Sequence, residues 1–163
     1  MNLHDILIYL GIWFLAGVLA FNLIVVFLFR SGLVYAARDQ EGHFKRKIPL
    51  RGFLTVAGFL CLIIGFIVLS NYISLIVRNI FLDFCQLFLL NLSLMLSLIL
   101  YDTLVIDWLV IGRWRPSFLH LPEAMNASEM KTHIQRSLIA GPIFGTILAL
   151  IGTLISIYVL KRP

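Results

Sequence analysis

The chain has 163 residues, of which 61% are hydrophobic and 13% charged, with a formal net charge of +5. Soluble domains contain ~45–50% apolar and ~25% charged residues, so this composition excludes an ordinary water-soluble globular domain. The length also leaves no room for one beside several hydrophobic spans of ~20 residues each.

Four apolar runs, at about 6–29, 53–72, 80–112 and 138–160, predict an all-α, integral membrane four-helix transmembrane bundle spanning 1–163 as one domain. Each run is long enough to cross a bilayer as a helix, which satisfies its own backbone. None alternates polar and apolar residues as a barrel strand would. The first run follows Asp5 and precedes Arg30. It is too long for a signal-peptide core and lacks a basic leader, so it reads as a permanent helix. Gly17, with Ala16 and Ala20, gives it a face that another helix can approach closely.

The connection at 30–52 is strongly basic, with Arg30, Arg38, Lys45, Arg46, Lys47 and Arg51. Lys45, Arg46, Lys47 and Arg51 stand just before the second span, where each basic residue gains ~1 kcal/mol against anionic headgroups. Topology alone is the plainer reason for their presence. A nucleic-acid partner is not indicated, because in a membrane chain the position of charge decides more than its sum. On the second span, Ala57, Cys61 and Gly65 form another small-residue stripe. Cys61 and Cys85 read as buried apolar thiols rather than as a disulfide or metal pair.

The third run, 80–112, would be roughly 50 Å of helix against a hydrocarbon core of ~30 Å, so it must tilt, bend or protrude. Asp102 then falls at the cytoplasmic boundary, Asp107 beyond it, and Trp108 and Trp114 near headgroup level. Asn91, Asp102 and Arg113 are eleven residues apart. On a straight α-helix they fall within ~20° of one another, while Asp107 lies ~140° away. This stripe is either a polar path or an interhelical hydrogen-bonding edge. In the plainer reading, Asp102 and Asp107 pair with nearby basic residues, Arg113 and Arg115 among them, and fix the helix exit.

Pro116 and Pro122 stop the third helix, and Asn126-Ala127-Ser128 with Glu129 starts a short amphipathic piece leading to the last span. His120, Glu123 and His133 match no strong metal-ligand spacing and read as solvated loop residues. The histidines fall in termini and connections, which argues against bis-histidine haem, and no cofactor is expected. Along the last span, Ser137, Gly141, Gly145, Ala149 and Thr153 recur at every fourth position. That stripe serves packing within one chain or between copies.

The segment around Asp102, Asp107-Trp108, Arg113 or Arg115, Pro116 and His133 resembles one in a set of small uncharacterised bacterial four-helix membrane proteins. The resemblance covers about 40 residues. It implies the architecture and brings no activity. The chain is also similar in size to lipoprotein signal peptidase, whose two aspartates lie on different helices. Asp102 and Asp107 share one helix here, and that family's motifs are absent.

The connection at 113–137 adds Arg113, Arg115, Lys131 and Arg136, leaving only Arg78, Lys161 and Arg162 elsewhere. This asymmetry predicts a bacterial inner-membrane protein with both connections cytoplasmic and both termini outside, against which only Lys161-Arg162 argues. The sequence contains no phosphate loop, nucleophile elbow or Cys/His pair, so nothing in it points to an enzyme. The leading expectation is a non-enzymatic module that binds membrane lipids or a partner membrane protein, possibilities that include a homo-oligomer. The alternative is a small oligomeric transporter or channel for ions, protons or solutes using Asn91 and Asp102. A lipid-acting membrane enzyme ranks third.

Overall fold

The computed structural model describes residues 3–33, 49–77, 83–119, 121 and 127–160. Four long helices make up the bundle: α1 is Leu3–Arg30, α2 Leu50–Val77, α3 Phe84–Tyr101 and α4 Ala127–Leu160. α3 continues directly into a π-helical segment, Asp102–Trp114, and then a 3-10 turn, Ser117–Leu119. Each of the four contains a stretch with mean hydropathy between 2.0 and 2.7, long and apolar enough to cross a membrane. The chain is an all-α, multi-pass membrane protein.

Local chemistry sets several boundaries. Gly32, at φ 69°, follows the end of α1, where the left-handed region favours glycine. Asp83 caps α3, its carboxylate accepting from the Gln86 backbone N–H at 2.8 Å. α4 is longer than the expected last span. The amphipathic piece before residue 138 joins it without a break, giving 34 helical residues through Pro142. That is about 51 Å of helix, well beyond a hydrocarbon core of ~30 Å.

The interior mixes apolar and polar side chains, while the outer surface is apolar. Leu15, Leu19, Leu23 and Phe27, one i+4 stripe of α1, are exposed by 68, 64, 64 and 62%. In water that would be an aggregation surface; in lipid it is the ordinary outer face. Ser70, Asn71, Asn91, Thr153 and Ser156 are fully buried.

α4 is the hub. It packs most extensively on α3 and next on α2, while α1 rests mainly on α3 and only lightly on α2. The small residues of α4 explain its closeness to its neighbours. A Cβ added at Gly141 would lie 2.6 Å from Ile99 Cγ2, and one at Gly145 2.5 Å from Ile99 Cδ1. Ala149 is fully buried in the same core, and a Cβ at Gly152 would lie 2.6 Å from Ile67 Cγ2. On α1, Gly17 similarly admits Leu98 and Phe66.

The α2 stripe behaves differently from expectation. Cys61 and Gly65 are exposed, and a Cβ at Gly65 would meet nothing within 4 Å. α2 turns Ile67, Ser70, Asn71 and Ser74 inward instead. Gly65 is two residues from Ile67, about 200° around the helix. Cys85, two residues before the buried Leu87, is exposed for the same reason, so neither thiol is a core group.

Gly145→Ala is expected to destabilise the detergent-solubilised protein by ~1–3 kcal/mol through overpacking against Ile99. Gly65→Ala should be near neutral. Thermal unfolding checks both, and Ile99→Ala in the Gly145→Ala background should recover part of the loss, because it removes the atoms that the new Cβ meets.

Candidate functional site

Between the helices lies a cavity of about 470 Å³, bounded by Phe21 and Ile24 of α1, Phe59 and Phe66 of α2, and Leu98 and Asp102 at the α3 end. Phe144 and Leu148 of α4 form its floor. It exists because α1 and α2 pack only lightly on each other. Exposed Cys61, Leu62, Gly65 and Leu69 edge the opening. A second apolar hollow of about 340 Å³ continues along the α1–α2 seam, sharing Ile24, Phe59 and Leu62.

Asp102 is half-buried at the junction of the α- and π-helical parts, eighteen residues along from Phe84. That is about 27 Å of rise. Asn22 fastens α1 to α3 at the same level, its Nδ2 donating to Tyr101 Oη at 2.7 Å and to the Val18 carbonyl at 2.8 Å. Asp102 itself has further interactions within the chain.

The π-helix changes the expected azimuths. Each turn closes i→i+5, so a side chain advances by a smaller angle per residue than in an α-helix. The eleven-residue spacing then no longer returns Arg113 to the Asn91–Asp102 stripe. Residues five apart become near neighbours instead, and the Arg113 guanidinium stands 5.0 Å from the Trp108 ring centre. Arg115 ends the segment in the left-handed region, at φ 48° and ψ 57°, its N–H donating to the Val110 carbonyl at 2.7 Å. Its guanidinium also donates to the Ile111 carbonyl at 3.3 Å. Pro116 then disfavours continuation of the helix.

Asp107 is less solvated than its expected place beyond the boundary implied. Its carboxylate lies 3.1 Å from His133 Nε2, with side-chain exposures of 17% and 33% for Asp107 and His133. His133 is therefore a helical residue of α4 with a carboxylate partner, not a loop residue. Gly112 lets α4 approach here, since a Cβ would lie 3.0 Å from Met130 Cε.

Asn91 belongs to a different place. It is fully buried and donates through Nδ2 to Thr153 Oγ1 at 2.9 Å. Thr153 donates its proton to the Ala149 carbonyl at 2.7 Å, which leaves its oxygen as acceptor and orients the Asn91 amide. Asn91 Oδ1 is buried without a hydrogen-bond partner among the described residues. A parallel chain runs from Tyr9 Oη to Asn71 Oδ1 at 3.1 Å, from Asn71 Nδ2 to Ser156 Oγ at 2.8 Å, and from Ser156 to the Gly152 carbonyl at 2.7 Å.

The structure thus separates the sequence-selected residues. Asp102 lines the cavity, Asp107 locks the π-segment to α4, Asn91 joins α3 to α4, and Gly141, Gly145 and Ala149 form the packing face. Arg51 is exposed in the first turn of α2, while Lys45, Arg46, Lys47, His120 and Glu123 lie outside the described residues. Asn22, Asn71 and Tyr9 escaped the sequence reading, although single polar residues within apolar runs were the available signal. No protein-family model, curated protein or solved structure matches this chain.

If the Asp107–His133 contact ties the π-segment to α4, a double-mutant cycle of Asp107→Asn and His133→Ala should give a coupling of ~1 kcal/mol in unfolding. Strict additivity of the two losses would show that the contact contributes nothing.

Proposed function

We propose that this chain is a non-enzymatic, multi-pass protein of a bacterial inner membrane that holds a lipid chain in the cavity between α1, α2 and α3. The observation that carries the reading is the cavity itself, apolar throughout except for one carboxylate and open along the α1–α2 seam. Its volume falls in the ~300–1,000 Å³ range of small-molecule sites. An acyl chain is the apolar group present at high concentration beside such an opening, and it needs no aqueous path to reach it. Both termini lie outside in this reading, supported by the clustering of basic residues around the 30–52 and 113–137 connections.

Gly65 provides the test. It edges the cavity and a Cβ there meets open space, so Gly65→Phe can fill the cavity without disturbing the helix contacts. The variant should fold with unchanged melting temperature yet retain at most about half as much tightly bound lipid as wild type after delipidating detergent washes. Lipid retention equal to wild type would remove the cavity as the lipid site. For the topology, reporter fusions at both termini should read as external; a cytoplasmic C-terminus would contradict it.

A further inference from the structure

Among the described residues lining the cavity, Asp102 is the one charged side chain. We propose that the occupant is a phospholipid with a primary ammonium headgroup, its amine donating to Asp102 and its acyl chain lying among Phe21, Phe59, Phe66 and Leu98. This rests on the lipid-holding reading and names the class of lipid.

The first argument is electrostatic. A carboxylate facing apolar surroundings is costly unless it is paired and hydrogen-bonded. Asp102 already takes part in interactions within the chain, and a carboxylate offers about four acceptor sites, so an ammonium can join that set without displacing it. An anionic headgroup brought to the same place would meet like charge. A quaternary ammonium brings charge but no N–H to donate.

The second argument is position. Asp102 lies about 27 Å of rise from the start of α3, close to the ~30 Å thickness of a hydrocarbon core. Leu98 and Met95, which continue the cavity wall, sit one and two turns back toward the centre of the bundle. The cavity therefore has its polar group near one bilayer boundary and its apolar walls toward the mid-plane. That is the polarity of a lipid in the leaflet nearest the Asp102 end, with its head at Asp102 and its chain pointing inward.

The test is competition. Wild-type protein reconstituted in nanodiscs with equal amounts of phosphatidylethanolamine, phosphatidylglycerol and phosphatidylcholine is released and its bound lipids are identified by native mass spectrometry. Phosphatidylethanolamine should be enriched on the order of tenfold over each of the others, the contribution expected of one charge-assisted hydrogen bond. Asp102→Asn should still carry lipid but lose the preference, and Asp107→Asn should keep it. Equal retention of the three headgroups by wild type, selection of phosphatidylglycerol, or an unaltered preference in Asp102→Asn would overturn the proposal. The wild-type competition decides even if Asp102→Asn fails to fold. Undiminished lipid on Gly65→Phe would place the failure in the cavity reading, whereas lipid of mixed headgroups lost on Gly65→Phe would place it in the role of Asp102.

Discussion

Ile99 of α3 occupies the space that side chains would take at positions 141 and 145 of α4, and the rest of the bundle follows from that approach. Lipid offers no hydrophobic drive for one apolar helix to leave it for another, so association depends on backbones coming close enough for dense packing. α4 meets that condition with Gly141, Gly145, Ala149 and Gly152, and draws α3 and α2 onto one face. α1 reaches the bundle through Gly17 against Leu98 and Phe66, through the Asn22–Tyr101 bond to α3, and through the Tyr9–Asn71 and Trp13–Ser74 bonds to α2. With α2 held by α4 and α1 held mainly by α3, the α1–α2 seam is left open beyond the Tyr9 and Trp13 bonds, and the cavity is the space that remains.

The buried hydrogen bonds reinforce the same hub. Tyr9, Asn71 and Ser156 form a directed chain ending on the Gly152 carbonyl, and Asn91 with Thr153 forms another ending on the Ala149 carbonyl. Both chains end on the α4 backbone, at the end of the bundle that holds the termini. Toward the opposite end charged groups stand beside the neutral Asn22–Tyr101 bond and serve different ends. Asp102 faces the cavity, Asp107 fastens the π-segment to His133, and Arg113 lies over Trp108. One end is thus closed by neutral hydrogen bonds, while the other combines an opening with a carboxylate.

Much of this was legible in the sequence, and the failures have definite causes. Span number and helical class follow from runs of apolar residues, which no tertiary contact can hide. The glycine stripe of α4 was visible because its four-residue spacing matches the α-helix that forms. The similar stripe on α2 was misleading: Ala57, Cys61 and Gly65 share a face, but spacing does not say which face turns inward, and Ile67, Ser70 and Asn71 take that place. The thiols followed the same error. The Asn91–Asp102–Arg113 alignment assumed 3.6 residues per turn, and the chain adopts i→i+5 turns from Asp102 onward. No residue type in Asp102–Trp114 announces that change. The polar composition before residue 138 resembles a solvated connection, whereas α4 extends back far enough to bring His133 to Asp107.

The central claim is that tight packing around α4 leaves a lipid-holding cavity on the α1–α2 side. Nuclear Overhauser contacts between protonated lipid chains and methyl-labelled side chains of the otherwise deuterated protein test it most directly. Half-buried Ile63 and Leu98, which face the cavity, should show acyl-chain contacts as strong as those of Leu15, Leu19 and Ile139 on the outer surface, while fully buried Ile67 shows none. Contacts confined to Leu15, Leu19 and Ile139, with Ile63 and Leu98 silent, would mean that the seam is closed to lipid and would contradict the account.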